Sequence, residues 1–238
     1  MPTAKVSLLS THCVTNHHSP MSTLSRLCVR RSLASAVSYS PRPLATRSLS
    51  ALSTPPKDGV DWLSMGFGLN TKDTKMVMTK HDGSSWGGLE VAPYGPLPME
   101  PSSVALNYGQ SLFEGMKATR TINGDVVVFR PRSNHQRLSD GAARYAMAPV
   151  PEDMFMEGLD IMINVNAEWV PPHGQGALYI RPLLFGCAGQ LGVGPSLSTT
   201  LLYYGSPVGG YFKKAAGGGV VPVKLRVSEG EFVANKAD

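Results

Sequence analysis

The side chains best suited to chemistry in this 238-residue sequence are arginines and tyrosines at regular spacings. Arg137 and Arg144 lie seven residues apart, about two helical turns, in a stretch with helical periodicity, so both point roughly the same way. A guanidinium offers parallel N–H donors that match a phosphate or a carboxylate. The commoner reading of such spacing is solvated surface charge, or pairing with Asp140 and Glu152. Further along, Arg181 interrupts the apolar run 177–185 (ALYIRPLLF), which reads as a buried strand. A buried guanidinium needs a carboxylate, a cluster of carbonyls or a bound anion. Tyr179 lies two residues earlier and shares its strand face. Beside the Gly-rich loop 186–194, this Tyr–Arg pair reads as part of an anion-binding pocket, or with equal weight as an interface salt bridge.

Several elements must position these residues. Segments 116–122 and 125–129 are β-prone and joined by Asn123-Gly124, which suits a type I′ hairpin turn. Pro131 ends the second strand. The spacing predicts a helix over 133–147, with Leu138, Ala142, Tyr145 and Ala146 toward one face. A second helix is expected over 152–167, opened by Pro151, with Met154, Leu159, Met162 and Ile163 on its apolar side. Segments 75–80, 86–91, 197–204 and 220–227 read as strands, 92–102 as a Pro-rich connection and 206–210 (SPVGG) as a turn. The order mixes strands and a hairpin, then two helices, then strands, which predicts an α+β fold rather than a βαβ chain.

Composition narrows the partners. The net charge is +5, yet residues 1–56 carry six of the 22 basic residues and none of the 17 acidic ones. The remainder is close to neutral, so no electrostatic footprint for nucleic acid remains. Residues 1–56, rich in Ser, Arg and Ala, have the composition of an organelle transit peptide without folded structure, a plastid one in preference to a mitochondrial one. No stretch approaches a membrane span. Cys13 and Cys28 fall in that leader and only Cys187 in the body, so neither a disulfide framework nor a metal cluster is expected.

Several phrases together resemble one family. LNYGQSLFEGMKA, VFRPRSNHQRL with the following GAAR, LYIRPLLF, LGV and SPVGGYF are similar, in order and spacing, to motifs of the branched-chain amino acid aminotransferases, pyridoxal-phosphate enzymes of fold type IV. The resemblance runs from about Asp61 to Phe232. It implies a small domain with an interdomain segment over 57–211, and the start of a larger, barrel-like cofactor domain over 212–238. It implies that Arg137 binds the cofactor phosphate and that Tyr108 and Phe113 line the substrate pocket. Tyr179 and Arg181 would reach in from the strand, and Val193 and Tyr211 would complete the pocket. The implied substrates are branched-chain amino acids and their 2-oxo acids, with glutamate and 2-oxoglutarate, in a homodimer whose pockets are shared between subunits.

One departure is plain. The family's Schiff-base lysine lies in a Gly-rich stretch resembling PGGTGGVK, beyond a Glu-Phe pair, whereas this sequence passes Glu231-Phe232 and ends in VANKAD. Neither Lys236 nor Lys117 stands in the matching context, so no catalytic residue is assigned and the 238-residue chain is expected to be inactive. A non-catalytic short form that dimerises with a full-length subunit is the alternative expectation.

Overall fold

The computed structural model describes residues 47–49, 54–210, 222 and 224. The expected strand 220–227, apart from residues 222 and 224, the expected site residue Tyr211 and nearly all of the expected leader lie outside the described residues. Three leader residues form an exception to the expected absence of structure: β1 (Arg47–Leu49) is a strand. In chain order there follow β2 (Lys75–His81), β3 (Glu90–Pro93), α1 (Val104–Tyr108), β4 (Ser111–Phe113), β5 (Met116–Arg120), β6 (Val126–Val128), α2 (Pro131–Arg144), α3 (Glu152–Val165), β7 (Ala177–Gly186) and β8 (Thr199–Val208). The strands form one antiparallel sheet in the order β1-β6-β5-β7-β8-β2-β3, with β4 also paired to β7. The expected α+β class holds.

β7 organises the sheet. It pairs with β8 over ten residues, from Ala177 opposite Val208 to Gly186 opposite Thr199. Its other edge meets β5 at Leu178–Ile180 and β4 at Leu183–Phe185. Between those two ladders the register sets Glu114 opposite Pro182. The Glu114 N–H donates to Pro182 O at 2.9 Å, but proline has no N–H to return. The ladder therefore breaks at Glu114-Gly115, and one edge becomes two short strands.

Alternation along β7 separates two environments. Leu178, Ile180 and Leu184 are fully buried and meet Leu138 and Ala142 of α2 and Leu159 and Met162 of α3 in the main core. Burying such side chains contributes about 1.5–3 kcal/mol each. Tyr179, Arg181 and Leu183 face the other way. Among the described residues that second face is covered only in part, by a small cluster around Met76, Phe185 and Leu202 with residues of the 92–102 connection.

The helices follow their signals. α2 begins at Pro131, earlier than expected, because proline at the first helical position loses no intrahelical bond. It ends sooner as well: Ala146 adopts φ 52°, and Tyr145 and Ala146 are exposed rather than on the buried face. The β5–β6 turn is a correction. Asn123 keeps a negative φ and only Gly124 is left-handed, at φ 89°. Gly124 N–H donates to Thr121 O at 3.1 Å and Thr121 N–H to Asp125 O at 2.8 Å. This is a turn through Ile122-Asn123 followed by a glycine bulge, not a two-residue type I′ turn. Segment 206–210 is also corrected: Ser206, Pro207 and Val208 continue β8, because β7 offers them partners as far as Ala177. Trp86 makes only an isolated bridge to His81, and the strand expected at 86–91 is β3, beginning at Glu90. Residues 104–108, left unassigned by pattern, form α1, closed by Gly109 at φ 69°.

One buried cation ties the periphery together. Arg120 donates to the carbonyls of Thr54 at 2.7 Å, Ala167 at 2.9 Å, Val170 at 3.1 Å and Gly124 at 3.2 Å. It thereby fixes the entry of the chain, the hairpin turn and the 3-10 turn Ala167–Trp169 after α3. Arg120→Met keeps the unbranched stem of the side chain but removes every donor. The expected loss is on the order of 3 kcal/mol, read as a lower urea midpoint at unchanged m-value.

Candidate functional site

The partly covered face of the sheet gathers three of the expected residues. Arg181 of β7 stacks its guanidinium carbon 4.2 Å from the ring centroid of Phe113 and 5.3 Å from that of Tyr179. Its Nη2 donates to Tyr179 Oη at 3.1 Å. Its Nε is buried and meets no acceptor among the described residues. No carboxylate among the described residues pairs with Arg181, so the salt bridge left open by the sequence is not made within this part of the chain. A guanidinium held between aromatic faces with a buried unmet N–H suits an incoming carboxylate.

The surroundings were not marked in the sequence. Phe67 packs edge-on to Tyr179 at 5.4 Å between centroids. A cleft of about 200 Å³ is lined by Phe67, Leu69, Tyr179, Arg181, Tyr204 and Ser206, among others. The segment carrying Phe67 is fastened to β8. Asn70 N–H donates to Ser206 Oγ at 2.7 Å, Asn70 Nδ2 donates to Pro207 O at 3.1 Å, and Ser206 Oγ donates to Gly68 O at 3.0 Å. No periodicity marks Phe67, and Ser206 was hidden in a stretch resembling a turn. Gly115 has a specific reason: a Cβ there would fall 2.3 Å from Tyr179 Oη. The absence of a side chain lets the tyrosine ring lie against the β4–β5 break.

Tyr108 and Val193 are placed differently. Tyr108 sits at the end of α1 and its hydroxyl donates to Leu191 O in the Gly-rich loop. Val193 in that loop is 88 % exposed. Neither lines the Arg181 cleft.

Arg137 is held on the helix-bearing side. Its Nε donates to Glu114 Oε1 at 2.8 Å, and its Nη2 bonds the second carboxylate oxygen, Oε2. Asn134 Nδ2 donates to that oxygen at 2.7 Å. The anticipated partners are engaged elsewhere, Asp140 with Gln136 and Glu152 with Arg132. Burial of Glu114 opposes its ionisation, but the hydrogen bonds from Arg137 and Asn134 and the guanidinium charge outweigh it and hold the carboxyl below its ordinary value. The same hydrogen bond raises Arg137. Glu114 is 7 % exposed, whereas the Arg137 side chain is 67 % exposed. The outer side of Arg137 lines a cleft of about 570 Å³ with Lys117, Arg130 and Ser133. Lysine, arginine and hydroxyl donors together suit an anion such as a phosphate monoester. This cleft and the Arg181 cleft share no lining residue. Glu114 was legible in principle: between Leu112 and Met116 it occupies a core-facing position of the alternation, where a carboxylate requires a partner.

Among the described residues no cluster of His, Cys, Asp or Glu could hold a metal ion, and no helix is long and apolar enough to cross a membrane.

No family model matches the chain. It is 40% identical over 199 residues to the chloroplastic branched-chain amino acid aminotransferase 2 of Humulus lupulus, covering 83% of this chain and 48% of the relative. It is 43% identical over 175 residues to the chloroplastic branched-chain-amino-acid aminotransferase 2 of Arabidopsis thaliana, covering 73% and 44%. The branched-chain-amino-acid transaminase 1 of Bacillus subtilis is 38% identical over 177 residues, covering 74% and 49%. The chain thus spans about half the length of the curated relatives it matches. Among solved structures, a branched-chain amino acid aminotransferase of Escherichia coli aligns with a TM-score of 0.43 at 28% identity, covering 58% of this chain and 41% of that one. The branched-chain aminotransferase of Thermoproteus uzoniensis, solved with norvaline, aligns with a TM-score of 0.46 at 23% identity, covering 59% and 42%.

The Glu114–Arg137 pair gives a signed prediction. A carboxyl whose folded pKa is depressed adds stability above its unfolded value, near 4.5, and loses it as pH falls through the folded value. Glu114→Gln is expected to be less stable than the wild type by on the order of 1–2 kcal/mol at pH 7. Urea titrations from pH 7 to pH 3 should show that gap narrowing only below about 4.5.

Proposed function

We propose that this chain, a homologue of the branched-chain-amino-acid aminotransferases, supplies the substrate side and one phosphate-side wall of a pyridoxal-phosphate transaminase. The reaction passes an amino group between valine, leucine or isoleucine and 2-oxoglutarate. The observation that carries this reading is Arg181 between Phe113 and Tyr179, with a buried Nε lacking an acceptor beside an open cleft. Such a transaminase must admit an aliphatic and an acidic side chain in one pocket. Apolar and aromatic walls suit the first, and a guanidinium with a tyrosine hydroxyl suits the second.

The residues present fit a phosphorylated cofactor on one side. Arg137, Lys117 and Ser133 line a single cleft and their chemistry matches a phosphate. In this reading Arg137 holds the phosphate, and pyridoxal phosphate when bound supplies the electron sink for proton removal at the amino acid Cα. Arg181, oriented by Tyr179, receives the side-chain carboxylate of glutamate or 2-oxoglutarate. Phe113 and Phe67 exclude water from the aliphatic side. Tyr108, Val193 and Tyr211 belong to the same pocket when two subunits share it in a homodimer. The reading sets a small domain over 57–211 and the opening of a larger domain over 212–238, and no lysine of these 238 residues stands in the Gly-rich context of the family's cofactor-linking lysine. The 238-residue polypeptide alone therefore does not turn over. Residues 1–56 serve as a transit peptide to the plastid, in keeping with the chloroplastic names of several relatives; one Humulus lupulus relative is named mitochondrial.

The test joins residues 57–232 of this chain to the part of the Humulus lupulus relative that lies C-terminal to its aligned stretch. Leucine-to-2-oxoglutarate amino transfer by the folded chimera is expected, and none by the 238-residue chain. Arg181→Gln in the chimera should raise KM for 2-oxoglutarate about tenfold or more while changing KM for the leucine-derived 2-oxo acid less than threefold. A folded chimera without turnover, equal effects on both acids, or turnover by the 238-residue chain would each contradict this reading.

A further inference from the structure

We infer that Glu114 is a positioning residue: its buried carboxylate grips the inner edge of the Arg137 guanidinium and presents the outer edge to the cleft lined by Lys117, Arg130 and Ser133. The inference rests on the proposed role of Arg137 as a phosphate ligand and adds the device that aims it.

The geometry is specific. The carboxylate takes Nε–H and one N–H of Nη2, the two parallel donors along one edge of the guanidinium. Nη1 and the second N–H of Nη2 meet no acceptor among the described residues, and the Arg137 side chain, 67 % exposed, lines the cleft. A mostly exposed arginine would otherwise sample many rotamers, and anion binding would have to order them. Glu114 is itself anchored. It lies at the ladder break opposite Pro182, donates its backbone N–H to Pro182 O, and receives Asn134 Nδ2 at 2.7 Å on its carboxylate. The same break brings Gly115 against Tyr179 Oη, so one corner of the chain supports both arginines.

A rival effect has the opposite sign. A carboxylate beside an anion site repels the anion, and removing it should then tighten binding. Burial beneath the guanidinium, with charge neutralised by Arg137 and a hydrogen bond from Asn134, favours positioning over repulsion. Lys117 and Arg130, both exposed on the cleft, supply net positive charge independently of the pair.

The experiment measures, on the 238-residue chain, the ratio of affinities for pyridoxal 5'-phosphate and for pyridoxal by equilibrium dialysis. That ratio isolates the phosphate contribution. Wild type, Glu114→Gln, Arg137→Lys and the double variant form a cycle, with thermal melting to confirm folding. Glu114→Gln is expected to lower the ratio about tenfold with Arg137 present and less than twofold with Lys at 137. A purely structural role would lower it equally in both backgrounds, and repulsion would raise it; either result overturns the inference. If Glu114→Gln does not fold, Asn134→Ala removes one hydrogen bond on the same carboxylate and should lower the ratio about threefold; an unchanged ratio overturns the inference. The underlying reading fails separately. If the wild type shows no preference for the phosphorylated ligand, Arg137 is not a phosphate ligand, and the role assigned to Glu114 falls with it.

Discussion

β7 is hydrogen-bonded to neighbours on both edges, and that double pairing fixes which of its side chains face which way. A one-residue slip would turn Arg181 into the core and Leu178 or Ile180 out of it. The core residues on the even positions are fully buried, so their packing against α2 and α3 locks the register. Arg181 and Tyr179 are held on the open face by this packing more than by their own interactions. An exposed cation–aromatic contact contributes about 0.5–1 kcal/mol, less than the burial of one leucine.

The proline in β7 looks at first like a defect, since a central strand usually excludes it. Pro182 has its backbone nitrogen at the gap between β4 and β5, and the gap is where the candidate site begins. Because no N–H reaches across, Glu114-Gly115 is released from a continuous ladder. Glu114 turns its side chain to α2 and Gly115 leaves space under Tyr179. A buried carboxylate would be costly alone. Here Arg137 and Asn134 satisfy it, which fastens the β4–β5 corner to α2. The two arginines singled out by their chemistry are thus served by one backbone interruption, on opposite sides of the sheet.

Strong periodic signals survived folding. Both helices, the hairpin strands, β2, β7 and β8 lie where apolar spacing and proline punctuation placed them, because long amphipathic segments have few ways to bury their apolar face. The misplacements are local. The Asn123-Gly124 turn uses only its glycine in the left-handed region, since the strands end at Arg120 and Val126 and leave a longer loop to close. Ser206–Val208 resembled a turn by composition and became strand because β7 supplied a full-length partner.

The sequence by itself determined the α+β class, the chemical character of Arg137, Tyr179 and Arg181, and, through several motifs in order, the resemblance to branched-chain aminotransferases. These depend on residue type and on spacing within single elements. Tertiary structure alone decided that Arg137 pairs with Glu114 rather than Asp140 or Glu152, and that Phe67 closes over Tyr179. It also decided that Arg181 finds aromatic faces but no carboxylate among the described residues. Each of these joins residues distant in sequence: Glu114 with Arg137 through α2, Phe67 with Tyr179 through β8. Periodicity describes one element at a time and carries no information about which elements meet. That information resides in the register of the sheet and in the packing of α2 and α3 upon it.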